Sequence, residues 1–261
     1  MSNRIREEFI RKKEPVRLNK YLSEAGVCSR READRLIETG RVTVDGRTAQ
    51  TGMRIIPGQV VKVGGKTVSR QDEMVVLAVN KPKGIVCTEE RRERNSIVRF
   101  LDYPIRVTYV GRLDKDSRGL LLMTNNGDII NRMMRAANHH EKEYKVTVDR
   151  EITDDFIRKM SSGVAILDTV TRPCRVEKLG KYTFRIILTQ GLNRQIRRMC
   201  EALGYEVRDL VRVRIMNIRL GSLREGEYRK LTDQELDELY ELIKDSPAEP
   251  GENGNRNKDH R

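Results

Sequence analysis

The sequence predicts an α+β protein in two unequal parts: a small basic N-terminal unit, then a larger unit with a mixed, mainly antiparallel sheet. Three observations carry this prediction. From residue 74 onward, strand-like and helix-like segments interleave without the strict alternation that builds a parallel βαβ fold. The texture also changes there, from short elements joined by Gly-rich turns to longer apolar runs opening with MVVLAVNKPKG. Charge divides the chain as well. Lys plus Arg outnumber Asp plus Glu by 52 to 39, and residues 1–70 hold 16 of the basic and only 8 of the acidic side chains. More than half of the net +13 therefore sits in the first quarter of the chain. A basic excess of this kind points to a polyanionic partner, nucleic acid foremost, because every phosphate neutralised on binding releases counterions.

The elements follow in order. Residues 1–16 read as a basic, flexible arm. In RLNKYLSEAG, Leu18, Tyr21, Leu22 and Ala25 recur at i, i+3, i+4 and i+7, which makes one face of a short helix ended by Gly26. Ser29 opens SRRE, a capping-box pattern with Glu32, and Ala33, Leu36 and Ile37 form the stripe of a second helix closed by Gly40. RVTVDGRTA alternates Val42 and Val44 before an Asp-Gly turn, and PGQVVKVGGKTV supplies another short strand pair. A domain over 17–68 and a polar linker over 69–73 result.

In the second domain, 74–245, RVTYV, GLLLMT, YKVTV, FRIIL and VRIMNIRL are strand candidates rich in Val, Ile and Tyr. GDIINRMMRA, TDDFIRKMSS, NRQIRRMCEALG and TDQELDELYELI read as helices, the last with Thr232 and Glu235 as a capping box. The tail, 246–261, has almost no apolar content and reads as disordered.

Several chemistries are excluded. The four cysteines lie far apart with no C-x-x-C pair, and the three histidines complete no metal-ligand spacing. Isolated thiols suit a reducing cytoplasm. The N-terminus lacks an apolar signal core and no apolar run reaches membrane-spanning length. VGGKT invites a phosphate-loop reading, but Val60 stands where that pattern needs glycine. DKDSRG at 114–119 resembles the start of a calcium loop, yet its fifth and twelfth positions are Arg118 and Asn125, neither of them an acidic ligand. On composition alone Asp114 reads as a surface charge making salt bridges, the commonest fate of an aspartate in a basic loop.

The motifs change that balance. Residues 17–63, with basic Arg30, Arg31, Arg35 and Arg41 around the second helix, resemble the S-four RNA-binding domain. NKPKG at 80–84, GRLDKDSRGLLLMTNNGD at 111–128, EKEYKVTV at 141–148 and GLNRQIRRM at 191–199 resemble, in order and approximate spacing, the pseudouridine synthases that act on ribosomal RNA. The likeness spans roughly residues 17–240. It implies a cofactor-free, metal-free isomerisation of uridine in RNA that turns on one carboxylate, Asp114. It further implies that Arg197 pairs with Asp114 and that Tyr144 stacks on the uracil. Arg112 would fill the space left by a flipped base, and Leu210 would line the uracil pocket, although a plain core leucine reads almost as well. Arg194 and Arg198 suit RNA phosphates. The expected partner is ribosomal RNA, of the large subunit first, bound by a monomer with no metal and no membrane. A small-subunit rRNA enzyme and a non-catalytic RNA-binding assembly factor of the same fold stay open at this point.

Overall fold

The structure, a computed structural model, describes residues 15–69, 73–90, 92–134 and 139–246. The arm up to residue 14, most of the predicted linker and the tail from 247 lie outside the described residues. The chain forms two compact units. One runs to Val76 and adds Tyr103–Val107 and Thr124–Gly127; the other holds Leu77–Asp102, Thr108–Met123 and the chain from Asp128.

In the first unit, β1 (Val16–Arg17) leads into α1 (Leu18–Glu24), whose Leu18 and Leu22 are buried as the stripe requires. Helix α2 (Arg30–Glu38) is capped by the Ser29 side chain, which accepts from the Glu32 amide, and it buries Ala33 and Ile37. The strands are β2 (Val42–Val44), β3 (Arg47–Thr48), β4 (Arg54–Ile55), β5 (Val61–Val63) and β6 (Lys66–Val68). Four of them form an antiparallel sheet in the order β3-β2-β5-β6. The β2–β3 hairpin turns through Asp45 and Gly46, both at positive φ, as an Asp-Gly turn favours. The Asp45 carboxylate ties that turn to the next strand by accepting from the Val60 amide at 2.8 Å. Leu18, Leu22, Ala33, Ile37, Val42, Val44 and Val61 close one small core.

The second unit is built on a sheet of nine strands among the described residues. Its elements are β7 (Val76–Lys81), α3 (Ile97–Leu101), β8 (Thr108–Val110), β9 (Arg118–Thr124), α4 (Gly127–Met134), β10 (Lys142–Val148), α5 (Asp154–Ser162), the hairpin β11 (Ala165–Ile166) and β12 (Thr169–Val170), β13 (Arg175–Lys178), β14 (Thr183–Leu188), α6 (Gln195–Ala202), β15 (Val207–Ile215), β16 (Ile218–Arg219), β17 (Tyr228–Lys230) and α7 (Asp233–Ile243). The main path is β13-β14-β10-β15-β9-β7-β17, with β16 on β15 and β8 on β9. The β13–β14, β14–β10, β10–β15 and β17–β7 pairs are antiparallel, and β15 runs parallel to β9. The fold is therefore α+β with a mixed, mainly antiparallel sheet.

Two details of this sheet position the site. Arg214 pairs with Glu143 but Arg212 pairs with Tyr144, so Val213 is an extra residue and β15 bulges there. A bulge re-aims the side chains on either side of it. Arg214 consequently meets Glu143 and Glu141 on one face, while Arg212 turns to the face that carries Tyr144. Gly119 sits at φ 106° where β9 meets β15, and a Cβ there would collide with the Arg212 backbone, so the last glycine of GRLDKDSRG is a packing requirement. Behind β10 and β14, the apolar face of α5 and α6 packs on Val146, Phe184, Ile186 and Leu210. Phe156 lies edge-on to Phe184 with ring centroids 5.3 Å apart. Helix α7 starts with the reciprocal Thr232–Glu235 capping box that the sequence predicts.

Candidate active site

The GRLD loop runs from Gly111 to Ser117, between β8 and β9. Gly111 takes φ 72°, which favours glycine, and a side chain there would also have to displace the end of the Met134 side chain. The Ser117 amide donates to the Asp114 carbonyl at 3.1 Å and closes a tight turn around the aspartate. The NKPKG turn braces it from outside, with the Gly84 amide donating to the Lys115 carbonyl at 2.7 Å. Lys81 of that turn is fully buried, its ammonium donating to the Pro82 and Ile85 carbonyls at 2.9 and 2.8 Å, a structural lysine. Burial holds its pKa below the usual lysine value. Lys83 and Arg118 both bind Asp209, at 2.7 and 2.8 Å, and tie the turn and the start of β9 to β15.

Asp114, Tyr144, Arg197, Arg112, Leu210 and Arg194 all line one cleft of about 560 Å³. Tyr144 stands half-buried on β10, and Leu210, 4% exposed on β15, floors the cleft while packing into the α5–α6 core. Arg112 is exposed at the rim. Arg198 is not among the lining residues; its guanidinium bonds back to Asn193. Arg30, Arg31, Arg35 and Arg41 are exposed on the first unit, with Arg35 in an ion pair with Glu32 at 3.4 Å.

The expected Arg197–Asp114 pair is corrected. Arg197 is held under the turn, donating to the Asp116 carbonyl at 3.0 Å, the Ser117 hydroxyl at 3.1 Å and the Val207 carbonyl at 3.4 Å, with its Nε 3.4 Å from the Asp116 carboxylate. The arginine facing Asp114 is Arg194, whose Nη1 lies 3.8 Å from Asp114 Oδ2. Arg194 sits at φ 49° just before α6, and this left-handed turn directs its side chain across both carboxylates. It grips Asp116 with two hydrogen bonds of 3.1 Å each. Burial would raise the Asp116 carboxyl, but the bonds from Arg194 and the charge of Arg197 outweigh it and hold the group below the usual carboxylate range.

Sequence reasoning missed two cleft residues. Arg212 is 2% exposed, and its Nε and Nη1 donate to the Leu120 and Arg112 carbonyls at 2.6 and 3.3 Å, tying β9 to the start of the GRLD loop. Lys142 lies two residues before Tyr144 on the same face of β10; burial, with the Arg212 charge, pushes its pKa below the usual lysine range. The K-x-Y spacing in EKEYKVTV was the available signal for Lys142, because residues i and i+2 of a strand share a face. Among the described residues, no group of three His, Cys, Asp or Glu side chains converges to hold a metal ion.

Comparison with known proteins gives the family. A profile of the RNA pseudouridylate synthase family matches residues 75–202, and one of the S4 domain matches residues 16–61. The dual-specificity RNA pseudouridine synthase RluF of Escherichia coli (strain K12) is 56% identical over 236 residues, covering 90% of this chain and 81% of that one. The uncharacterized RNA pseudouridine synthase Rv1711 of Mycobacterium tuberculosis (strain ATCC 25618 / H37Rv) is 36% identical over 242 residues, covering 87% and 94%. A crystal structure of a pseudouridylate synthase superposes with a TM-score of 0.64 at 30% identity, covering 86% of this chain and 99% of that one. With its S4 domain, its synthase fold and identity of this extent to curated relatives, the chain belongs to the RNA pseudouridine synthase family.

Proposed function

We propose that this enzyme converts a uridine of large-subunit ribosomal RNA to pseudouridine, with Asp114 as the carboxylate on which the reaction turns. The observation that carries the reading is the convergence of Asp114, Arg194, Tyr144 and Leu210 on one cleft, with the Arg194 guanidinium 3.8 Å from the Asp114 carboxylate. The N1–C1′ bond breaks, the uracil turns, C5 joins C1′, the C5 proton leaves to solvent and N1 ends protonated. Atoms balance without a cofactor. Attack on C1′, addition to the ring and removal of a ribose proton all start from ionised Asp114.

A uridine within folded RNA reaches a carboxylate in a cleft only by leaving its stack. Arg112, exposed at the rim, suits the place vacated by the base, since a guanidinium plane can stack and bind phosphate together. Tyr144 offers an aromatic face to the uracil inside. Residues 17–68, with exposed Arg30, Arg31, Arg35 and Arg41, form the RNA-binding domain of this reading, and 74–245 the catalytic one. No helix among the described residues is long and apolar enough to cross a membrane, and the reading places the enzyme in the cytoplasm, acting as a monomer.

The name of the E. coli relative, dual-specificity, makes substrate range the first point to test. Tritium release from C5-labelled uridine is measured with large-subunit and small-subunit rRNA transcripts side by side. Release from the large-subunit RNA is expected. Release from the small-subunit RNA alone would overturn the substrate, and release from neither, on transcripts or on ribosomal particles, would overturn the activity.

A further inference from the structure

Five cations and one carboxylate line the cleft, an imbalance that a neutral uracil does not explain. Arg194 and Arg197 are engaged with Asp114, Asp116 and nearby backbone, and Arg112 stands at the exposed rim. Lys142 and Arg212 are left without an acidic partner. The Lys142 side chain has no hydrogen-bond or ion-pair partner among the described residues. Arg212, 2% exposed, spends two donors on carbonyls, and its Nη2 has no partner. An ammonium withdrawn from water beside a second cation, with no carboxylate to offset it, costs stability in the free protein. Such a cost persists where a ligand supplies the missing charge.

Position says which ligand. Lys142 and Tyr144 project from the same face of β10, about 7 Å apart along the strand. That is roughly the reach from a nucleobase to the phosphate of its own nucleotide. We propose that Lys142, with the charge of Arg212 added to its own, binds the backbone phosphodiester beside the uridine delivered to Asp114. The proposal rests on reading the cleft as the uridine site. It adds an anchor at the reacting nucleotide, distinct from the dispersed contacts of the basic first unit. Phosphate contacts fix register, and one at this point would hold the ribose while the base is free to turn.

The test compares wild type, Lys142→Met and Lys142→Arg for affinity to the large-subunit rRNA transcript across a salt series, with melting temperature and tritium release measured on each. Lys142→Met should weaken binding three- to tenfold at low salt and reduce the slope of log K against log salt by about 1. Lys142→Arg should restore both. Lys142→Met should also melt no lower than wild type, because it removes an unpaired, desolvated charge, whereas a merely structural lysine would lower the melting temperature. An unchanged salt slope in Lys142→Met overturns the phosphate contact. So does a lower turnover at unchanged affinity and slope, which would put the cation on the reacting base instead. Failure of the broader reading looks different: wild type would release no tritium while the Lys142 slope change persists.

Discussion

Replacing Asp116 by Asn tests the arrangement that departs most from the sequence expectation. Asp116 holds Arg194 through two bonds of 3.1 Å and lies 3.4 Å from Arg197, and Arg194 in turn stands 3.8 Å from Asp114. Hydrogen bonds to charged groups contribute about 1.5–3 kcal/mol when shielded. The Asp116 and Arg194 side chains are 49% and 42% exposed, so water and salt reduce this to about 1 kcal/mol. In a protein of this size that is a loss of about 2–4 °C in melting temperature. If the same energy keeps Arg194 aimed at Asp114 during reaction, kcat falls about fivefold.

The pH dependence adds a sign. The folded-state pKa of Asp116 is lowered, so its contribution is complete above the unfolded value, about 3.9, and is lost as pH falls through the folded value. Thermal melts of wild type and Asp116→Asn should differ by a constant amount from pH 7 down to about pH 4, and the gap should close only as pH falls further through the lowered folded-state value. A gap that persists in acid, or a variant with full kcat in single-turnover tritium release, would refute the positioning role.

Two further predictions concern the floor of the cleft and the first unit. Leu210→Ala removes a side chain that is 4% exposed and should cost about 3 kcal/mol by chemical denaturation, against the core as well as the site; a cost under about 1 kcal/mol would contradict its packing. Replacing Arg30, Arg31, Arg35 and Arg41 together by Gln should lower the salt slope of RNA binding by up to about 4, with Arg35 giving least because Glu32 already holds it. An unchanged slope would remove this face from the RNA contact.

Much of the fold was legible because it is local. The stripes Leu18/Leu22 and Ala33/Ile37, the Asp45-Gly46 turn and the Thr232–Glu235 box each follow from residues within a few positions of one another, and all appear in the structure. The gathering of Asp114, Tyr144, Arg194, Arg197 and Leu210 was legible only through the family's motifs, since composition alone leaves Asp114 a surface charge. What stayed hidden depends on long-range geometry. In VRVRI, simple alternation puts Arg212 and Arg214 on one face, and the bulge at Val213 separates them and buries Arg212. The partner of Asp114 depends on the left-handed turn at Arg194, which nothing in GLNRQIRRM announces. Helix α3, capped by Ser96, was also missed: SIVRFL is too short to show a helical period.

The most direct measurement is single-turnover tritium release by Asp114→Asn, with RNA affinity measured on the same preparation. The account predicts no detectable release at an affinity within about threefold of wild type, because dispersed phosphate contacts supply most of the binding. Release near the wild-type rate would contradict it and return Asp114 to the status of a charge paired with Arg194.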